Sequence, residues 1–444
     1  GKGAVSIIRI SGTEATKICN KIFKARHQKK ISLNDAKTVI IGNIIENKMI
    51  IDEVLITVFK GPKSYTGENI IEIACHGSTY IQAKIIQLLI KKGCRLARNG
   101  EFTLRAFLNG KLDLSQAEGV SELISSENEK AHSLAMQQMR GGFSNEIRNL
   151  RNKFIKFASL IELELDFSQE DVEFLERSEL LKLTDIIKQK TKNLLQSFEL
   201  GNVIKNGIPI AIVGQPNAGK STLLNKILNE DRSIVSNTKG TTRDIIEESI
   251  IINGYKFRFI DTAGLRNTKN KIEQIGIQKT YEKIHKSAFV LYLIDKENFT
   301  ITKINKEISK IQNQLNSTGC IIIVANKNDL NNDKIIINKE YDILNISAKH
   351  GEGIDELLNT ILAKIADWRK LNNDILMINQ RHFESLVNTL QSIKDVEQGI
   401  HSNISGEFLS SDIKSALNYL GQITGEITND DLLDSIFKDF CIGK

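Results

Sequence analysis

The sequence predicts a multidomain protein of mixed class: an N-terminal α+β domain, a helical domain split in sequence, and a P-loop α/β domain inserted into the split. Three observations predict it. Short β-rich runs and one helix fill residues 1 to about 105. The apolar period then turns helical from Leu112, and helical spacing returns over 375–440. Between those stretches stands Gly214-Gln215-Pro216-Asn217-Ala218-Gly219-Lys220-Ser221, which fits G-x-x-x-x-G-K-[ST]. At 444 residues two or three domains are expected. An inserted nucleotide domain is the simplest topology. The alternative is two unrelated helical pieces flanking it.

The elements follow in order. Ala4 to Ile10, Val54 to Phe59 and Ile70 to Ala74 read as strands, and Tyr80 to Lys91 as a helix. Ala117, Val120, Leu123 and Ile124 share one helical face. Ile147, Leu150, Phe154, Phe157 and Ile161 alternate three and four apart, the spacing of a packed seam. A further helix over Ser178 to Glu199 is expected to end at Gly201, read as a C-terminal cap. The only prolines are Pro62, Pro209 and Pro216, so long helices are permitted almost everywhere else.

The inserted stretch, 207 to about 365, carries four motifs in order. In the first, glycine lets successive backbone N–H groups face anionic oxygens, so Asn217, Ala218, Gly219, Lys220, Ser221 and Thr222 form the candidate phosphate cradle. Lys220 supplies a charge to the β/γ-phosphates, and the Ser221 hydroxyl suits Mg2+. Ile208 to Val213 reads as the buried strand entering this loop, and Ser221 to Leu228 as the helix leaving it. Asp261-Thr262-Ala263-Gly264 follows the apolar run Phe257 to Ile260, which aims the carboxylate at Mg2+ through water. Asn326, Lys327 and Asp329 end another apolar run, and Ser347-Ala348-Lys349 completes the set. Asp329 accepts two N–H donors that guanine offers and adenine does not. These motifs predict a guanine-nucleotide switch. Leu265 stands where small switches carry a water-orienting glutamine. Either hydrolysis is very slow, or another group acts. Glu273 is the nearest downstream carboxylate on a segment able to swing in, and is otherwise a solvated glutamate.

Net charge is +6, from 60 basic and 54 acidic residues, which permits a nucleic-acid partner without requiring one. No run of about 18 apolar residues or signal-peptide pattern is present, so no membrane partner and a cytoplasmic or organelle-matrix location are expected. The chain opens on Gly1 and runs straight into a strand, which suggests missing N-terminal residues. Five scattered cysteines without C-x-x-C spacing argue against a zinc site or a disulfide framework.

Segments outside the nucleotide motifs are more specific: Gly240-Thr241-Thr242-Arg243-Asp244; Gly61-Pro62-Lys63-Ser64-Tyr65-Thr66-Gly67-Glu68-Asn69; the run from Gly100 to Leu114 (Gly-Glu-Phe-Thr-Leu-Arg-Ala-Phe-Leu-Asn-Gly-Lys-Leu-Asp-Leu); and the tail Cys441-Ile442-Gly443-Lys444. Together they resemble the MnmE (TrmE) family of tRNA-modification GTPases along essentially the whole chain. The resemblance implies a folate-binding and dimerisation domain at 1–110, helical parts at 111–206 and 369–444, and a Ras-like GTPase domain at 207–368. It implies a homodimer and an FAD-containing partner, MnmG, in a heterotetramer. The pair would add an aminomethyl-type group to carbon 5 of wobble uridine in tRNA. The carbon would come from 5-formyl- or 5,10-methylene-tetrahydrofolate.

The resemblance also assigns residues. Arg9, Glu72, Lys111 and Lys444 match folate-contacting positions. A carboxylate suits the pterin edge, and cations suit the glutamate carboxylates. Asn217, Ser236, Thr238 and Thr241 match the K+-binding loop, Thr242 the second Mg2+ ligand after Ser221, and Glu273 the water-activating glutamate. K+ would stand where an arginine finger otherwise goes, in a dimer of GTPase domains. Cys441 is either a nucleophile or base toward the uridine, or a small anchor for the tail. His76 reads as a turn histidine, with Ser78 replacing a glycine common in the family. Two rival functions differ in kind. A ribosome-assembly GTPase would usually append a KH module, but the C-terminal stretch lacks G-x-x-G. A pure interaction protein would carry a degenerate switch, yet Lys220, Ser221, Thr242, Asp261 and Asp329 are intact.

Overall fold

The computed structural model describes residues 3–440 except 28–29, 37, 168–176, 230–233, 236–246, 261–280, 297–299, 316–318, 331–342, 372–375, 403, 405, 429–432, 434–435 and 439. The described residues pack as two compact units. One falls within Gly1–Ser121, Gln138–Arg148 and Leu420–Lys444, the other within Glu122–Gln137 and Asn149–Tyr419.

The first unit is built on an antiparallel sheet of β1 (Val5–Ser11), β2 (Phe23–Ala25), β3 (Val39–Glu46), β4 (Met49–Phe59) and β5 (Ile70–His76), in the order β1-β5-β4-β3-β2. α1 (Ala15–Cys19) and α2 (Thr79–Lys91) belong with it. Side chains alternate across a strand, so one set faces the core and the other does not. Val54, Ile56, Val58, Ile71 and Ile73 are buried with Ile85, Leu88 and Leu89 of α2. The opposite set holds two rows. Arg9, Glu72, Thr57 and Val39 stand side by side, as do Ile7, Ala74, Leu55 and Ile41. Ile7, Leu55 and Ile41 are exposed. α3 (Glu101–Leu108) follows, and α4 (Leu114–Ser125) begins at a reciprocal cap. Asp113 Oδ1 accepts from Gln116 N at 2.9 Å, and Gln116 Oε1 accepts from Asp113 N at 3.0 Å. The expected shared face of α4 forms, but it is buried unevenly. Ala117 and Val120 are buried, but Ile124 is 42% exposed. The expectation rested on helical spacing, which sets the face a residue shares but not its burial. Leu114, Ala117 and Val120 carry the buried part of that face, and Ile124 continues it on the last, exposed turn.

α5 (Glu129–Met139), α6 (Gly142–Phe167) and α7 (Arg177–Asn206) continue the helical part. The predicted seam is buried throughout, with Ile147, Leu150, Phe154, Phe157 and Ile161 at most 2% exposed. α7 corrects an expectation, because Gly201 lies inside the helix rather than at its end. A Cβ there would stand 2.1 Å from Met377 O, so the glycine serves a backbone crossing. The helix stops at Gly207, with φ +91°.

Next comes β6 (Ile208–Gly214), then α8 (Lys220–Leu228), β7 (Ile234–Val235), β8 (Glu247–Ile252), β9 (Tyr255–Ile260), β10 (Phe289–Asp295), α9 (Ile301–Gln314), β11 (Cys320–Asn326), β12 (Ile343–Asn345) and α10 (Ile354–Leu371). The sheet order is β12-β11-β10-β6-β9-β8-β7, parallel except at the β7-β8-β9 end. Its central strands are apolar on both faces because helices cover both. Every residue of β10 is buried. α11 (Gln380–His401) and α12 (Gly406–Thr424) return to helix. α11 packs on α7: Lys188 Nζ reaches Glu397 at 2.6 Å, and Phe198 stacks on Phe383 with centroids 4.6 Å apart. The nucleotide fold is therefore inserted between two helices that pack together.

Candidate guanine-nucleotide site

Strand ends build this site. β6 delivers the chain to the Gly214–Gly219 loop, and α8 leaves it. Gly214 has φ +149°, and a Cβ there would lie 2.3 Å from Leu293 O of β10. Gly219 has φ +97°, and its Cβ would lie 2.2 Å from Asn326 Nδ2. Both glycines are set by close approach as well as by φ. Asn217 also adopts a positive φ of 64°. Ala218 is buried, whereas Ser221 and Thr222 are exposed on the first turn of α8. That turn presents helix N–H groups and the positive end of the helix dipole, which suit phosphate. Lys220 Nζ donates to Gly214 O at 2.8 Å and Gln215 O at 2.7 Å, so its charge spans the loop.

Asn326 ties three segments together. Its Nδ2 donates to Ala218 O at 2.8 Å, and its Oδ1 accepts from Ala348 N at 2.9 Å. At 3% exposure this amide fixes the loop and the Ser347-Ala348 turn relative to β11. Ser347 Oγ donates to Asp329 Oδ1 at 2.7 Å. That bond holds the Asp329 carboxyl below its ordinary range, with help from its own backbone N–H and from His350 and Lys349, while desolvation opposes the shift. Asp329 is thus kept ionised as a paired acceptor. Lys327, at φ +68°, donates Nζ to Asp295 Oδ2 at 2.6 Å. Asp295 was not anticipated, although it ends an apolar run at the register partner of Asn326. His350, 3.7 Å from Asp329, and Lys296, bonded to Asn328 Oδ1 at 2.6 Å, were also missed.

Ser236, Thr238, Thr241, Thr242, Asp261, Thr262, Ala263, Gly264, Leu265 and Glu273 lie outside the described residues, as do Cys441 and Lys444. Of the candidate cation ligands, Ser221 and Asn217 are described. Ser221 sits on the phosphate side of α8, where a hydroxyl fits Mg2+. Among the described residues no cluster of His, Cys, Asp or Glu could hold a metal ion, and no helix is long and apolar enough to cross a membrane. Cys19, Cys75, Cys94 and Cys320 are free thiols. Burial pushes Cys19 up to about 12.

The first unit brings two of the four candidate folate residues together. Arg9 Nε meets Glu72 Oε1 at 2.7 Å across the β1–β5 register. Lys111 Nζ donates to Pro62 O at 3.1 Å. Two residues from Arg9, Ser11 Oγ donates to Glu68 Oε2 at 2.7 Å. Glu68 accepts from Arg105, and Arg105 and Arg95 both grip Glu101. Glu101 is drawn down to about 2, first by the Arg95 bond, then by Arg98 N and Arg105, against desolvation. This chain was missed as a unit, although Glu68, Glu101 and Arg105 sit in the glycine-flanked segments singled out above. His76 ends β5, and its Nδ1 lies 2.7 Å from Asp52 Oδ1. The turn reading gives way to a strand-end histidine held by a buried carboxylate.

A P-loop fold with its base-recognition segments tied to the phosphate loop defines a guanine-nucleotide-binding switch. The comparisons narrow the class. A model of the GTP-binding protein TrmE N-terminus matches residues 1–111, and one of the MnmE helical domain matches 114–441. The chain is 52% identical to a tRNA modification GTPase MnmE of Flavobacterium johnsoniae, covering all of this chain and 97% of that one. It is 52% identical to that of Flavobacterium psychrophilum and 48% to that of Bacteroides thetaiotaomicron, with the same coverage. Aquifex aeolicus Era bound to GDP and AlF4- matches with 25% identity over 41% of this chain and 66% of that chain, at a TM-score of 0.28 too low to carry weight. The chain belongs to the MnmE family of tRNA modification GTPases.

Proposed function

We propose that this protein hydrolyses GTP to drive modification of the wobble uridine of tRNA. The observation that carries the reading is the Asn326 cross-link, which joins the phosphate loop, the Asn-Lys-x-Asp strand end and the Ser347-Ala348 turn. Full-length identity with MnmE relatives supports the substrate. Asn217, Ala218, Gly219, Lys220, Ser221 and Thr222 bind the phosphates, while Asn326, Lys327, Asp329, Ser347, Ala348 and Lys349 bind guanine. Ser221 and Thr242 hold Mg2+, and Asn217, Ser236, Thr238 and Thr241 hold K+. These cations would neutralise charge developing on the phosphates. Asp261 to Gly264 sense the γ-phosphate, and Glu273 orients water in place of the missing glutamine.

Arg9, Glu72, Lys111 and Lys444 bind a tetrahydrofolate one-carbon donor, and Cys441 acts on the uridine. An FAD-containing partner, MnmG, completes the reaction. The exposed Ile7, Leu55 and Ile41, in one row across the N-terminal sheet, support a homodimer through that sheet, and the protein acts in the cytoplasm. Nucleoside mass spectrometry of tRNA from cells lacking the protein tests the reading. Wobble uridines modified at carbon 5 should disappear and return with wild type but not with Glu273→Ala. Unchanged nucleosides with shifted ribosomal subunit profiles would replace it with a ribosome-assembly role.

A further inference from the structure

The β8–β9 hairpin does more than complete a sheet. Its two-residue turn, Asn253-Gly254, has φ +48° and +78°, and pairs Ile252 with Tyr255. The turn lies against the start of α5. The first-turn N–H groups of a helix lack intrahelical acceptors. Asn128 Oδ1 caps one of them, Ala131 N, at 2.8 Å. The hairpin caps another, with Lys130 N donating to Gly254 O at 3.1 Å. A Cβ on Gly254 would lie 3.0 Å from Glu129 Cβ at a φ of +78°, so glycine suits so close a turn. Lys256 Nζ pairs with Glu127 at 2.5 Å, with the lysine side chain only 14% exposed. Lys130 Nζ stands 5.7 Å from the centroid of Tyr255. Leu134 of α5 is buried in the same core as Ile252 and Tyr255.

The same hairpin grips the end of α7. Arg258 Nε donates to Gly207 O at 3.3 Å, and a Cβ on Gly207 would meet Arg258 Cγ at 3.0 Å and Lys256 Cγ at 3.1 Å. Lys205 closes the joint onto Glu122 at 2.6 Å. Two helices are thus held by one hairpin. In sequence, β8 follows the stretch carrying Thr242, and β9 leads directly into Asp261. Each strand of the hairpin continues into a segment assigned above to Mg2+ and γ-phosphate sensing.

We propose that the β8–β9 hairpin is the lever by which nucleotide state reaches the helices, with Gly254, Lys130 and the Glu127–Lys256 pair forming its joint. The proposal rests on the GTP reading and adds the route. A ligand shifts a conformational equilibrium only through differential contacts, and a direct joint supplies them. These are positioning residues, since none of them touches nucleotide in the reading above.

The test is amide hydrogen exchange on the full chain loaded with GDP or with a non-hydrolysable GTP analogue. The expected result is an exchange rate over 129–137 that differs about threefold or more between the two nucleotides. Lys256→Glu should abolish the difference, and the double variant Glu127→Lys, Lys256→Glu should restore it. GTP hydrolysis should stay within about twofold in every variant. Glu127→Gln, at a side chain 41% exposed, serves if the reversal fails to fold. Exchange independent of nucleotide in wild type overturns the lever. So does a nucleotide-dependent difference that survives both Lys256→Glu and Glu127→Gln. Absence of GTP hydrolysis in wild type would instead sink the nucleotide reading.

Discussion

The two sheets carry their sites in opposite ways. In the seven-stranded sheet the site lies at the strand ends and is made largely of backbone. Gly214, Gly219 and Ala218 bring chain within contact of Leu293 and Asn326, and the side chains named there fix that chain in place. In the five-stranded sheet the Arg9–Glu72 pair lies on a strand face and is made of side chains at alternate positions. A site of backbone tolerates almost no substitution but announces itself as a motif. A site on a strand face tolerates more and looks, in sequence, like any solvated pair.

The largest expected effect follows from that contrast. Gly219→Val would put side-chain atoms against the Asn326 amide at a backbone φ of +97°. Nucleotide affinity should fall about 100-fold or more, measured by titration with a fluorescent guanine nucleotide. A smaller loss would mean the loop has room the crossing does not indicate. Asp329→Asn comes next. Losing a charge-assisted pair should weaken GTP by about 10- to 100-fold, and a xanthine nucleotide should bind the variant better than GTP does. Equal weakening of both nucleotides would take base recognition away from this residue.

On the other sheet, Arg9→Ala should lower affinity for a reduced folate by about tenfold, read by calorimetry, with nucleotide affinity unchanged. If folate binding is untouched, the pair is structural. The smallest effect is a pH dependence. Glu101 titrates at about 2 in the folded chain against 4.5 for the free group. Its contribution is complete above the free value and is lost as pH falls from about 4.5 towards 2. Glu101→Gln should flatten that part of a urea-midpoint profile relative to wild type. Profiles with the same slope would show that the arginines do not favour the ionised form.

What the sequence made legible tracks the same division. The phosphate loop, the strand entering it, the helix leaving it and the Asn-Lys-x-Asp end were readable because each is a local geometry. The packed seam of α6 was readable because one face of a long helix repeats. Asp295 was not, because its role depends on β10 lying beside β11. Gly201 misled because a glycine near an expected helix end looks like a cap, and only the crossing of Met377 reveals the reason for it. Ile124 keeps the expected face of α4, but spacing alone does not specify burial on a helix's last turn. The Glu68–Arg105–Glu101–Arg95 chain joins residues up to 37 positions apart and has no periodicity to betray it.

That glycine crossing has a consequence in time. Gly201 meets the backbone of Met377, and Met377 N donates to Ser197 Oγ at 3.2 Å. The chain therefore leaves α7 and comes back to it at nearly the same place. During synthesis α7 waits for the whole insertion before α11 can cover it, roughly 10–35 s at ordinary elongation rates. The nucleotide fold is therefore synthesised on α7 before α11 exists to cover that helix. Once residue 371 has cleared the ribosome, the chain carries the nucleotide fold on a helix that α11 has yet to cover, and that helix face is what a chaperone would shield.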